Sequence, residues 1–123
     1  MRKTFVETAE FTEWVKEYLS DEALSELQRQ LLNDPDTGSV MPGCGGLRKM
    51  RVADPRRRKG KRGGDRVIYL HVPEADVIFL MDIYSKGEQE DLSADQKKIL
   101  KGLAQSYKRA AIQMAKPFGK ETS

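Results

Sequence analysis

The spacing of apolar positions divides the chain into short segments that alternate in character. Residues 4–6 read as a brief strand, after which Phe11, Trp14, Val15 and Tyr18 recur at helical intervals. Trp14 suits the core of that helix or a partner-docking face, with the core favoured. Ser20 or Asp21 can cap a second helix with Glu22 in its first turn, and Leu24, Leu27 and Leu31 form its apolar stripe. The run Asn33-Asp34-Pro35-Asp36-Thr37-Gly38 stops it. Two such helices joined so closely predict an antiparallel hairpin.

The pattern then changes to a period of two. Over 47–53, Leu47, Lys49 and Arg51 share one face and Arg48, Met50 and Val52 the other, which predicts a strand with a charged face. Residues 54–65, with Pro55 and three glycines, predict a long hairpin loop. The β-branched and aromatic run at 66–72 predicts a strand, a turn follows at 73–76, and the apolar run 77–84 predicts a central strand. Ser93 and Gln96 match a capping box for a last helix, with Ile99, Leu100, Leu103 and Tyr107 on its apolar face and an end near Ala115, ahead of Pro117. The expected fold is a single α+β domain over 1–116: an N-terminal helix hairpin on an antiparallel sheet, and a C-terminal helix. A frayed tail is expected over 117–123. The helices are expected on one sheet face, leaving the other partly open.

Composition adds three points. Cys44 is the only cysteine, so no internal disulfide forms, which suits a reducing cytoplasm. It reads as a small residue in a glycine-rich loop. Thr4, Glu7, Thr8 and Glu10 interrupt any apolar leader behind the basic start, and no run is long enough to span a membrane. Charge is concentrated. Residues 48–66 hold ten basic side chains against two acidic, a local charge of +8 that leaves −5 for the rest of a chain whose net is +3. Such asymmetry points to a polyanion, above all nucleic acid, and is also compatible with a solvated loop.

The stretches GGLRKMRV (45–52), GKRGGDRVIY (60–69) and IYSKGE (83–88) together resemble the signatures of RelE/HigB-type toxins, the first two being nearest to the HigB branch. The resemblance implies the toxin of a type II toxin–antitoxin module, which cuts messenger RNA on the ribosome without metal or cofactor. The implied partners are a cognate antitoxin, ribosome and mRNA, and operator DNA through the antitoxin, with no membrane. By the family's layout, Lys49, Arg51, Arg66, Tyr84 and Lys86 are the expected catalytic residues, while Arg48, Arg57, Lys59, Lys61 and Arg62 are expected to grip RNA backbone. Lys49 and Arg51 also suit the solvated face of an edge strand, and Tyr84 suits half-buried structure. His71 alternates away from Arg66 and reads as structural. With one histidine and one cysteine, no metal-ligand cluster is expected. Two other functions fit parts of this pattern: a ParE-like gyrase inhibitor of the same fold, and a non-enzymatic nucleic-acid-binding autorepressor.

Overall fold

The computed structural model describes residues 2–52, 64–85 and 92–115. Its elements are β1 (Thr4–Glu7), α1 (Ala9–Tyr18), α2 (Asp21–Asn33), β2 (Ser39–Val40), β3 (Arg48–Val52), β4 (Asp65–Val72), β5 (Val77–Ser85) and α3 (Ala94–Ala115), with a 3-10 turn at Pro73–Ala75. The strands form one sheet in the order β1-β5-β4-β3-β2. The antiparallel meander is as expected, but β1 joins its edge parallel to β5, so the sheet is mixed. The two-residue β2, too short to leave a pattern in sequence, forms the other edge.

Local signals set the helix ends. Thr8 caps α1, its hydroxyl accepting the Phe11 N–H at 3.1 Å while donating to the Met81 carbonyl at 2.8 Å. One side chain thus starts the helix and ties it to β5. Ser20 caps α2 by accepting from the Ala23 N–H. The capping box of α3 closes in both directions: Ser93 N–H donates to Gln96 Oε1 at 2.9 Å, and Gln96 N–H to Ser93 Oγ at 3.1 Å.

The helices cover both faces of the sheet rather than one. The α1–α2 hairpin packs Phe11, Val15, Leu27 and Leu31 on Val67, Tyr69, Ile78 and Leu80. Helix α3 packs on the opposite face, over Ile68, Leu70, Val72 and Phe79. The reason lies in β4 and β5, whose consecutive residues are apolar on both sides, so each face needs a cover. Helix α3 makes its closest approach with small residues, Ala104 and Ala111. A Cβ added at Gly45, where φ is +71°, would stand 3.2 Å from the Ala104 methyl and 3.2 Å from the Lys101 carbonyl oxygen. Two sequence expectations fail here. Ile99 and Leu103, placed on the apolar face of α3 with Leu100 and Tyr107, are 64% and 44% exposed, because the helix leans in on its alanines. Trp14 is 44% exposed, since Phe11 and Val15 face the sheet and leave it on the flank of α1.

Candidate active site

The expected cations of β3 and β4 come together. Arg51 is paired directly with Arg66 across β3–β4, and Arg66 with Tyr84 across β4–β5. Opposed residues of antiparallel strands project to the same face, so the three form one row. The next row runs Ser39, Lys49, Ile68 and Asp82, with Lys49 two positions from Arg51. This is the face that α3 covers. Leu47, on the same side of β3, is fully buried in the α3-side cluster, whereas Arg51 is exposed. Arg51 therefore lies beyond the apolar cover, while Tyr84, at the other end of its row, lies beneath it. Like charges placed directly opposite each other destabilise a sheet; the same arrangement offers an anion two guanidinium forks.

Lys49, Arg51 and Arg66 border a cleft of about 390 Å³. It opens where β3 continues past β2, which pairs only with Arg48 and Lys49. Gln30 of α2, Thr37 and Gly38 of the following loop, and Ser39 at the start of β2 form its other side. Those four residues have no periodicity to betray them: 33–38 reads as a helix stop, and only the pairing of Ser39 with Lys49 brings the loop to the cations.

That loop is clamped. The Gly38 N–H donates to the buried Tyr69 hydroxyl at 2.9 Å, and Arg48 Nη1 donates to the Gly38 carbonyl at 2.7 Å. Arg48 also reaches the Asp36 carbonyl at 3.2 Å and lies 3.7 Å from its carboxylate. It projects to the α1–α2 face, away from Lys49, so its contacts are with the protein's own loop. Burial pushes the Tyr69 phenol above its ordinary pKa of 10.0, a shift reduced by the Gly38 hydrogen bond and the charge of Arg48.

Tyr84 is only 8% exposed, with its ring in the α3-side cluster, so it offers no open face for a base to stack on. Lys86, Arg57, Lys59, Lys61 and Arg62 lie outside the described residues. His71 is away from the cleft, as its alternation indicated. Its Nε2 is 3.0 Å from Lys3 Nζ and its Nδ1 3.4 Å from the Asp36 carboxylate. An ammonium only donates, so in its contact with Lys3 the ring nitrogen is on the accepting side. Cys44 is buried and faces the Pro42 carbonyl at 3.6 Å.

A second groove, of about 400 Å³, runs between α3 and the sheet past Ile68, Met81, Leu100 and Tyr107. Among the described residues its lining is mainly apolar and includes no lysine or arginine, which does not suit a polyanion. Among the described residues no group of three or more His, Cys, Asp or Glu side chains could hold a metal, and no helix is long and apolar enough to cross a membrane.

Residues 2–121 match the family described as the RelE toxin of the RelE/RelB toxin–antitoxin system. Among solved structures, a chain of the intact E. coli RelBE toxin–antitoxin complex is 20% identical, with 72% of this chain and 100% of that chain covered and a TM-score of 0.51. The isolated E. coli RelE toxin is 18% identical, with coverages of 83% and 99% and a TM-score of 0.49. At such identity the first of these speaks to the fold.

Proposed function

The chain belongs to the RelE toxin family of toxin–antitoxin systems, and on that premise we propose that it is a ribosome-dependent endoribonuclease that cuts messenger RNA and so stops translation. The observation that carries the reading is the row of Arg51 opposite Arg66, with Lys49 alongside, at the open end of a sheet face. In the reaction, a ribose 2′-OH attacks the adjacent phosphorus and the P–O5′ bond breaks. The products are a 2′,3′-cyclic phosphate and a 5′-OH. Negative charge builds on the non-bridging oxygens of the pentacoordinate phosphate. Arg51 and Arg66 approach those oxygens from two strands, and preorganised donors of this kind typically supply about 10²–10³ in rate. Lys49 adds charge to the same side. Tyr84, enclosed as it is, acts through its hydroxyl and not by stacking. A cognate antitoxin is the expected partner; the similar E. coli chain was solved in complex with one. Cytoplasmic action on the ribosome, and operator binding through the antitoxin, follow from the same reading.

The test is a reconstituted translation reaction programmed with one mRNA, with the intact protein, Arg66→Ala, or no ribosomes. Discrete cuts that need ribosomes and disappear with Arg66→Ala are expected. Intact mRNA at high protein concentration refutes the nuclease reading, and a DNA gyrase supercoiling assay then tests the ParE-like alternative.

A further inference from the structure

The two sides of the cleft differ in chemistry. One side is cationic, from Lys49, Arg51 and Arg66; the other is neutral and rich in hydrogen-bonding groups, from Gln30, Thr37 and Ser39. A phosphate is recognised by charge, and contacts to phosphate carry no information about the base. A base edge is recognised by uncharged donors and acceptors, which side-chain amides and hydroxyls provide. Gln30, Thr37 and Ser39 are all exposed, so they are open to a ligand.

Selectivity also requires that such groups stay in place, and this loop is held at its centre. Gly38, between Thr37 and Ser39, has its N–H taken by Tyr69 and its carbonyl by Arg48. Tyr69 is fully buried, so the anchor is part of the core. The fit is also close, since a Cβ at Gly38 would stand 2.9 Å from the Lys49 carbonyl oxygen and 2.9 Å from Tyr69 Cε1. Ser39 is then fixed a second time, by pairing with Lys49 in the sheet.

We propose that Gln30, Thr37 and Ser39 form a subsite that selects the base next to the scissile phosphate, and that Tyr69 and Arg48 are positioning residues that fix this subsite through Gly38. The inference rests on the nuclease reading for its substrate, single-stranded RNA. It adds a division of labour: the cations supply affinity and rate, and the loop supplies choice.

The experiment maps cut sites over a randomised mRNA pool in reconstituted translation. It compares the intact protein, the triple variant Gln30→Ala/Thr37→Val/Ser39→Ala, and Tyr69→Phe. The readout is the ratio of cutting at the most and least favoured bases. That ratio should fall roughly tenfold in the triple variant, the effect of losing one or two hydrogen bonds to a base edge. It should also fall in Tyr69→Phe, whose cleft side chains are unchanged. A ratio unchanged in the triple variant, with its melting curve preserved, overturns the subsite. A ratio unchanged in Tyr69→Phe, despite lowered stability, overturns the positioning role. Should the intact protein cut nothing, the nuclease reading falls separately, and fluorescence anisotropy with labelled A, C, G and U hexaribonucleotides decides the subsite. A base preference in binding that the triple variant loses supports it; equal binding of all four, or no binding, overturns it.

Discussion

Gly38→Ala gives the sharpest test of how the cleft is built. The new methyl would lie 2.9 Å from the Lys49 carbonyl oxygen, 2.9 Å from Tyr69 Cε1 and 3.0 Å from the Tyr69 hydroxyl oxygen. None of these is the loose end of a flexible chain. The carbonyl belongs to a strand, and the tyrosine is fully buried. If the loop stays in place, overpacking costs about 1–3 kcal/mol. If it backs away, the Gly38 N–H bond to Tyr69 and the Arg48 bond to the Gly38 carbonyl are stretched, and each buried group left without its partner costs about 1–3 kcal/mol. These responses partly replace each other, so the expected loss is about 2–4 kcal/mol and not their full sum. With a urea m-value of about 1–3 kcal/mol/M, the unfolding midpoint should fall by roughly 0.7–4 M at unchanged slope. A double-mutant cycle with Tyr69→Phe sharpens the result. Both changes disrupt the same hydrogen bond, so the double variant should lose less than the sum of the singles. A Gly38→Ala midpoint within about 0.3 M of the parent's would refute the close packing of the loop. Strict additivity in the cycle would refute the hydroxyl as its anchor.

Two further outcomes follow from the same geometry. Arg51→Ala should weaken binding to single-stranded RNA for all sequences alike and reduce the slope of log K against log salt by about 0.7, read by anisotropy at several salt concentrations; an unchanged slope would place Arg51 away from phosphate. Tyr69 has a folded pKa above its unfolded 10.0, so its neutral form is the one the fold prefers. That stabilisation is complete below about pH 10 and is lost as pH rises through the folded value. The urea midpoint of the intact protein should therefore drop more between pH 9 and pH 11 than that of Tyr69→Phe, and equal drops would count against the buried phenol.

The sequence by itself determined the order of the elements other than β2, because each of these carries a local cause. Thr8, Ser20 and the Ser93–Gln96 box begin helices by capping their own amides. Alternation at 47–53 and the run 77–84 announced strands, and the same alternation placed Lys49 with Arg51 and set His71 apart from Arg66. Partnership across space was beyond it. No short-range pattern specifies that β1 runs parallel to β5, that α3 lies on the face opposite the helix hairpin, or that its alanines pack inward while Ile99 and Leu103 stay exposed. The cleft shows the same split. Its cations were legible as a charge concentration on alternating strands, but strand register alone set Arg51 against Arg66, and only the packing of Gly38 on Tyr69 turned a helix stop into the facing side. Periodicity reports which side of an element is apolar. Which neighbour covers that side, and which polar residues are thereby brought together, is decided by long-range pairing and by the shape of the packed core.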